Sequence, residues 1–346
     1  MTLPEHIRIS ESPGADLKDF LNKNSYSAVA LLTDNHTALH CYPVIRHALP
    51  QHIHVTIPAG EVHKTLDTCA EVWKYLTEAR LDRRSVLIVL GGGMPGDLGG
   101  FCAATFKRGI DFILVPTTLL AMADASIGGK LGIDFMSYKN QIGLFCQPAL
   151  TLLSAAFLST LPEAELRSGY AEILKHALIS EPAWWDELTA RPWKQHNWQI
   201  QIEKSALLKW RVVSEDPHEV GIRKILNAGH TLGHAIESWF LACNRPVLHG
   251  EAVAAGLAAE SIIARDEGLL SSHLSRQIIR YITDVFGKLH WNSHDTASIV
   301  QLCFQDKKNT GKKIRAALLK EIGQTMWDYE VSPERITAAL EEYRQL

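Results

Sequence analysis

The sequence predicts an α/β N-terminal domain built on a Rossmann-like parallel sheet, followed by an all-α C-terminal domain. In the first half, short β-branched runs alternate with helical segments, which is the pattern of a parallel sheet covered by helices. After about residue 158, long amphipathic patterns continue to the C-terminus with little strand signal. We therefore expect a nucleotide-binding domain at residues 1–159 and a helical domain at residues 160–346.

The strands of the first half are predicted from four short apolar runs. These candidates are Ala28–Leu32, His52–Ile57, Val86–Leu90 and Phe112–Val115. Between the second and third runs, Thr68–Ala79 carries apolar residues at helical spacing. This order of strand and helix predicts parallel pairing, because parallel neighbours require a crossover helix.

The second half begins with a helix-start signal at Thr160-Leu-Pro-Glu163, which has the form of a capping box with proline in the first turn. The helical patterns that follow share apolar residues at a spacing of three and four. They cover residues 161–180, 199–215, 229–242, 249–267, 272–286 and 332–345.

Composition excludes several classes of protein. The 346 residues are 46% hydrophobic, as in globular proteins, and the net charge of −3 comes without a basic run. A nucleic-acid or membrane-surface role is therefore not expected. No apolar stretch approaches the roughly 20 residues of a membrane span, and the N-terminus does not resemble a signal peptide. The six cysteines are scattered without a Cys-x-x-Cys pair, which indicates reduced thiols in a cytoplasmic protein.

A glycine-rich turn follows the third predicted strand. Gly91-Gly-Gly-Met-Pro-Gly-Asp97 leads into a helical stretch that is expected to reach Arg108 and stop at Gly109. Strand, glycine turn and helix together let backbone N–H groups meet a pyrophosphate. The segment lacks the G-x-G-x-x-G fingerprint, so a simple tight turn is the alternative. Pro116-Thr117-Thr118 ends the next strand, where open α/β sheets bind ligands, and this favours a nucleotide site.

Cations stand among small and apolar residues, which favours a site for a small phosphate or carboxylate. Taken singly, each is more often a solvated surface residue. They are Lys130, Lys139, Lys175, Lys209, Arg223, Lys307 and Lys308. Glu172 lies on an apolar helix face one turn before Lys175, so this carboxylate requires a partner or a metal ion.

The segment from Arg223 to Glu237, followed by His249, is the most informative part of the chain. His230 and His234 are four residues apart, so both rings project from one helix face. That spacing suits a metal site or acid–base chemistry, although such pairs also occur as ordinary helix positions. Spacing alone assigns both histidines the same task.

These segments together resemble the 3-dehydroquinate synthase family of sugar-phosphate cyclases. The resemblance extends from about Gly60 to Gly323. Its blocks are GEVHK (60–64), GGGMPGD (91–97), TFKRG (105–109), PTTLLAMADASIGGK (116–130), KNQIG (139–143), GYAEILKHALI (169–179), KILNAGHTLGHAIE (224–237), LHGEAV (248–253) and DKK (306–308).

The resemblance implies a bound NAD and a divalent zinc or cobalt ion. The metal would be held by Glu172, His230 and His249, while His234 and Glu219 would transfer protons. The matched NAD positions are Glu61, Lys64, Gly93, Met94, Gly96, Asp97, Thr117, Thr118, Lys139 and the loop from Phe157 to Thr160. The resemblance therefore separates His234 from His230.

The implied substrate is 3-deoxy-D-arabino-heptulosonate 7-phosphate, which the family converts to 3-dehydroquinate and phosphate in the shikimate pathway. By matched position, Lys209 and Arg223 would take the carboxylate, and Asp124 and Lys175 would contact ring hydroxyls. The phosphate would be held by Lys130, Asn140, Asn227 and one of Lys307 and Lys308. Arg108 matches a residue that reaches in from the neighbouring subunit, so the resemblance implies a homodimer.

Two other functions remain open. By the resemblance, a valiolone-forming cyclase would alter both Asn227 and His234, and an inosose-forming cyclase would alter Asn227. Both residues are intact here, as are Lys209 and Arg223, which favours the dehydroquinate reaction. An NAD- and metal-dependent polyol dehydrogenase would not require the phosphate-holding lysines.

One segment departs from the family pattern. Met94-Pro95 stands where the family usually has two β-branched residues, and Pro95 removes one potential N–H donor to a pyrophosphate.

Overall fold

The computed structural model describes residues 2–136, 138–304 and 313–346. The chain forms two compact units. The first comprises Met1–Leu166 and Trp198–Trp210, and the second comprises Arg167–Asn197 and Arg211–Leu346. The boundary expected between residues 159 and 160 lies close to the end of the first segment. Residues 198–210, predicted to belong to the helical domain, lie in the first unit.

The first unit is an α/β fold around a six-stranded parallel sheet. The strands of the unit, which include an antiparallel pair outside this sheet, are β1 (Ile7–Ile9), β2 (Val29–Asp34), β3 (Ile53–Ile57), β4 (Val86–Gly91), β5 (Asp111–Pro116), β6 (Lys130–Phe135), β7 (Tyr138–Phe145) and β8 (Leu150–Leu153). Its helices are α1 (Pro13–Asn24), α2 (Asn35–His40), α3 (Tyr42–Ile45), α4 (Leu66–Glu78) and α5 (Gly93–Thr105).

The strand order of the sheet is β1-β8-β5-β4-β2-β3, and β6 and β7 form a separate antiparallel pair. All six residues of β2 and of β4 are buried, as expected where helices cover both faces of a parallel sheet. The four predicted strands correspond to β2–β5. The short β1 and β8 and the hairpin β6–β7 were missed.

Glycines set the distance between α5 and the sheet. A Cβ added at Gly99 would lie 2.7 Å from side-chain atoms of Leu32 and Val89, and one at Gly100 would lie 2.4 Å from Leu131. The helix therefore packs at a separation that only glycine allows. It ends at Thr105 rather than Arg108, and residues Phe106–Arg108 form a 3₁₀ turn.

The second unit is mainly helical, so the predicted fold class is confirmed. The helices after residue 160 are α6 (Glu163–Ser180), α7 (Pro182–Thr189), α8 (Trp198–Glu215), α9 (His230–Ala242), α10 (His249–Asp266), α11 (Ser272–Phe286), α12 (Thr296–Cys303) and α13 (Pro333–Gln345). This region also contains an antiparallel pair, β9 (Ile314–Glu321) and β10 (Gln324–Val331), which the all-α prediction missed.

Helix α10 is the centre of the second unit and contacts α9, α11, α13 and β9. Its surface is rich in alanine and glycine, which lets neighbouring backbones approach. A Cβ added at Gly256 would lie 2.0 Å from the carbonyl oxygen of Gly229, at the start of α9. Within the described ranges, no helix has the length and apolarity needed to span a membrane.

Candidate active site

The glycine turn of the first unit lines a cleft. Gly91 ends β4 opposite Pro116 of β5, and α5 begins two residues later with Gly92 at its N-cap. A Cβ added at Gly92 would lie 3.1 Å from the Thr118 methyl carbon. The turn thus brings backbone N–H groups and a helix N-terminus to the carboxyl edge of the sheet, where an anionic group can bind.

A buried lysine connects three of the predicted site residues in the first unit. Lys64 Nζ donates to Asp97 Oδ2 at 2.6 Å and to Asn140 Oδ1 at 2.5 Å. Glu61 Oε1 lies 4.0 Å from the same nitrogen. Burial raises the pKa of Asp97, and the charge of Lys64 opposes that shift. Asn140, assigned to phosphate by the resemblance, therefore lies beside residues assigned to NAD.

Two further nucleotide candidates meet at a thiol that the sequence analysis did not single out. Burial raises the pKa of the Cys41 thiol to about 11, and the side chains of Thr117 and Thr160 oppose that shift. The Thr117 N–H donates to the Gly91 carbonyl at 2.9 Å, which ties this segment to the glycine turn. Phe157, in the same loop as Thr160, is buried.

Lys209 and Asp124 form an ion pair within the first unit. Lys209 Nζ lies 2.8 Å from Asp124 Oδ2 and also donates to the Asp124 carbonyl at 2.5 Å. The lysine is buried, so its charge is compensated by this aspartate. The resemblance assigns the two residues to different substrate groups, and the structure brings them into direct contact.

The remaining candidates of the first unit differ in exposure. Met94 is buried at the start of α5, whereas Lys130 and Lys139 are exposed on β6 and β7. Arg108 is exposed and has a φ of +71°, between Lys107 at +51° and Gly109 at +108°. Lys307 and Lys308, the other phosphate candidates, lie outside the described residues.

In the second unit, three predicted metal ligands converge. His230 Nε2 lies 3.5 Å from Glu172 Oε1, and His249 Nε2 lies 3.7 Å from the same oxygen. A tetrahedral ion with ligand bonds of about 2.1 Å separates its ligands by about 3.4 Å. The two distances to Glu172 Oε1 are close to that value, and one carboxylate with two imidazoles is a donor set that zinc and cobalt accept.

The second carboxylate oxygen of Glu172 accepts a hydrogen bond from Lys175, and both side chains are almost completely buried. Lys175 thus supplies the partner that the apolar surroundings of Glu172 require. His234 is also close, because the ring nitrogens of His230, His234 and His249 lie within 4.8 Å of one another. Geometry alone therefore offers Glu172 or His234 as the third ligand.

Each of the two metal-candidate imidazoles is held through its other nitrogen. His230 Nδ1 lies 3.1 Å from the Ala228 carbonyl oxygen, and His249 Nδ1 lies 3.2 Å from Glu237 Oε2. Burial and the charge of Lys175 lower the pKa of His230 well below its usual range. Burial opposes charge on His249 as well, but Glu172 and Glu237 raise its pKa to about 9. A metal ion bound at His249 must therefore displace a proton.

Close helix contacts bring these ligands together. The Gly250 N–H donates to Ser168 Oγ at 3.0 Å, and a Cβ at Gly250 would lie 1.9 Å from the Ser168 carbonyl oxygen. This joins the start of α10 to α6 one turn before Glu172. Glu260 of α10 accepts from the N–H groups of Gly229, at 2.6 Å, and Leu232, at 3.3 Å. A buried carboxylate therefore caps α9 and orients His230, its first residue.

The loop before α9 holds the other candidates of the second unit. Asp216 accepts hydrogen bonds from the backbone N–H groups of Val220, Gly221 and Arg223, at 2.7–3.1 Å. Although burial opposes it, this coordination lowers the pKa of Asp216. Glu219 has a φ of +59°, and its Oε1 accepts from Asn227 Nδ2 at 2.8 Å. Arg223 donates to the Pro217 carbonyl at 2.6 Å.

Sequence reasoning missed Cys41, Asp216, Glu237 and Glu260 as members of these sites. Glu237 was the most accessible from sequence, because it follows His230 and His234 at helical spacing and shares their face. The others could not be found from local pattern, since their partners are distant in sequence or are backbone groups.

Family comparison covers most of the chain. A sequence model of the 3-dehydroquinate synthase N-terminal domain matches residues 54–168, and one of the 3-dehydroquinate synthase C-terminal domain matches residues 169–309. A 3-dehydroquinate synthase from Parabacteroides distasonis is 37% identical over 99% of this chain and 98% of its own length.

Solved structures with low identity share the fold. A 2-epi-5-epi-valiolone synthase from Streptomyces hygroscopicus subsp. jinggangensis, with NAD⁺ and Zn²⁺ bound, has a TM-score of 0.85 at 23% identity and covers 100% of this chain and 98% of its own. A 2-deoxy-scyllo-inosose synthase, in complex with carbaglucose-6-phosphate, NAD⁺ and Co²⁺, has a TM-score of 0.82 at 24% identity and covers 97% and 96%.

Proposed function

This chain belongs to the 3-dehydroquinate synthase family, and we propose that it converts 3-deoxy-D-arabino-heptulosonate 7-phosphate to 3-dehydroquinate and inorganic phosphate. The reaction is a phosphate-eliminating carbon–oxygen lyase step of the shikimate pathway. The observation that carries the proposal is the approach of His230 and His249 to one oxygen of Glu172 in a chain of this family. Such a donor set leaves positions open for substrate oxygens.

NAD and a zinc or cobalt ion are the proposed cofactors. The glycine turn at Gly91–Gly93, with Lys64, Asp97 and Thr117 around it, would hold the NAD. When bound, NAD would accept a hydride from the substrate and return it, and the metal would polarise the adjacent hydroxyl oxygens. Because the hydride returns within one turnover, the protein must retain the nucleotide and exclude water.

The second unit's own residues are suited to proton transfer and orientation. Asn227 donates to Glu219, which keeps one carboxylate oxygen at a defined place for taking up a proton. Lys175 occupies one oxygen of Glu172 and so directs the other toward His230 and His249. We propose His234, which shares the face of His230 on α9, as the second proton-transfer group.

The substrate's anionic groups would be bound by the cations that the family pattern assigns. Lys209 and Arg223 are proposed for the carboxylate. Both side chains are buried, and polar partners fix the positions of their ammonium and guanidinium groups. Lys130, Asn140 and Asn227, together with Lys307 or Lys308, are proposed for the phosphate. Lys139 is proposed for the NAD, together with Glu61, Met94, Gly96, Thr118, Phe157 and Thr160. Asp124 is proposed to contact ring hydroxyls.

We also propose that the protein is a cytoplasmic homodimer. The support for the compartment is that the six cysteines are all free thiols, which suits a reducing environment. The support for the dimer is the exposed Arg108, which matches a family residue that reaches into the neighbouring subunit. Sedimentation of the purified protein tests the dimer directly.

The test of function uses purified protein, the heptulosonate phosphate, substoichiometric NAD and Zn²⁺ or Co²⁺. We expect phosphate and 3-dehydroquinate to appear in equal amounts. Phosphate release from glucose 6-phosphate instead would favour an inosose-type cyclase. Stoichiometric NADH formation with glycerol, and no phosphate release, would favour a polyol dehydrogenase.

A further inference from the structure

The two histidines of the candidate metal centre differ in what holds their second nitrogen. His230 Nδ1 lies against a neutral backbone carbonyl, whereas His249 Nδ1 lies 3.2 Å from the Glu237 carboxylate. We propose that Glu237 is a positioning residue that sets the affinity of the centre for its metal ion by orienting His249. The proposal rests on the proposed function, because that function supplies the metal.

The geometry determines which nitrogen of His249 faces the centre. A carboxylate accepts a hydrogen bond, so Nδ1 carries the proton that faces Glu237, and Nε2 presents its lone pair to a metal ion once the metal displaces the Nε2 proton. Nε2 is the atom that lies 3.7 Å from Glu172 Oε1. The Glu237 side chain is only 14% exposed, so its charge acts on the imidazole with little screening by water. A carboxylate in this position raises the basicity of the ligand nitrogen, which a neutral carbonyl does more weakly.

The position of Glu237 on α9 links the two ligand helices. His230, His234 and Glu237 are spaced by four and three residues, so they share one face of α9. His249 is the first residue of α10, where helix geometry alone leaves its ring orientation undetermined. Helix α9 therefore contributes one ligand directly and orients the other through Glu237. A rotation of α9 would disturb both at once.

Glu251 provides a matched control on α10. It lies two residues from His249, and its side chain is 20% exposed. Its carboxylate accepts from Arg167 Nη2 at 2.9 Å and from the Leu248 N–H at 3.1 Å. Removing its charge changes the local electrostatics near His249 without removing a hydrogen bond to that ring.

The experiment measures the affinity of the purified full-length protein for Zn²⁺ and Co²⁺ by competition with a chelator, together with the visible absorption spectrum of the Co²⁺ form. We expect Glu237→Ala to weaken metal binding by about 10- to 100-fold and to change the cobalt spectrum. Glu237→Gln, whose amide oxygen still accepts the bond, is expected to lose less. Glu251→Gln is expected to bind as the wild type does.

Wild-type affinity and spectrum in Glu237→Ala would overturn the proposal. If Glu237→Ala does not fold, Glu237→Gln decides, and affinity and spectrum both equal to the wild type would overturn it. An equal loss in Glu251→Gln would also overturn it, since the effect would then be general electrostatics. Failure of the proposed function is distinct, because it would appear as a wild-type protein that binds no metal.

Discussion

Replacing Gly250 with alanine tests how the close approach of α6 and α10 builds the metal centre. The added Cβ would lie 1.9 Å from the Ser168 carbonyl oxygen, and real Cβ contacts essentially never fall below 3.0 Å. The two backbones must therefore separate by at least 1.1 Å. Gly250 adjoins His249, and Ser168 lies one turn before Glu172, so the separation acts directly on two ligands.

The expected effects follow from that displacement. If it is fully transmitted, the distance from His249 Nε2 to Glu172 Oε1 grows from 3.7 Å to about 4.8 Å, well beyond the roughly 3.4 Å of a tetrahedral edge. We expect metal affinity to fall about 10- to 100-fold, as when the support of a ligand is disturbed. Overpacking costs about 1–3 kcal/mol of folding free energy, and each kcal/mol lowers the midpoint by roughly 2–4 °C in a domain of this size.

Thermal unfolding and chelator competition on the Gly250→Ala protein measure both effects. Gly96→Ala is the control, because a Cβ added there would meet no described heavy atom within 4 Å. In a helix that substitution is expected to stabilise by about 0.5–1 kcal/mol and to leave metal affinity unchanged. A Gly250→Ala protein with wild-type midpoint and wild-type metal affinity would show that this close approach does not build the metal centre.

Four further predictions concern the proposed chemistry. His230→Ala should lose the metal, whereas His234→Ala should retain metal and NAD but turn over about 10²–10⁴-fold more slowly. Metal analysis of both purified proteins measures this difference, and a metal-free His234→Ala protein would reverse the assignment. Chelation with EDTA should abolish activity and Zn²⁺ or Co²⁺ should restore it, so full activity without detectable metal would contradict the site. Turnover should require only catalytic NAD, without a steady rise in absorbance at 340 nm; accumulating NADH would favour a dehydrogenase. Asp216→Ala should release the loop that carries Glu219 and Arg223. We expect kcat to fall and KM for the sugar phosphate to rise, while NAD affinity stays unchanged. Unaltered kinetics would exclude a positioning role for Asp216.

The longer elements were predictable because their periodicity is local. The patterns at 199–215, 249–267 and 272–286 lie within one residue of α8, α10 and α11. The strand pair β9–β10 was missed, since strand pairing depends on contacts that no helical window reports. The short strands β1 and β8 were missed because three or four residues carry too little pattern.

The spacing of His230 and His234 predicted one helix face but could not divide their tasks. The family resemblance proposed Glu172 and His249 as the other ligands, although they lie 58 residues before and 19 residues after His230. The structure brings all three together through approaches at Gly250 and Gly256 that leave no room for a side chain. Such approaches depend on backbone positions in three helices, which a linear pattern does not specify.

Local periodicity and ordered motifs were sufficient to predict the α/β and helical halves, the glycine turn at Gly91–Gly93 and the family of the chain. No sequence pattern predicted the hydrogen bonds from Lys64 to Asp97 and Asn140, or the contact between Glu237 and His249. The physical reason is that a buried charge must find a partner in space, and the partner is chosen by helix and strand packing rather than by distance along the chain.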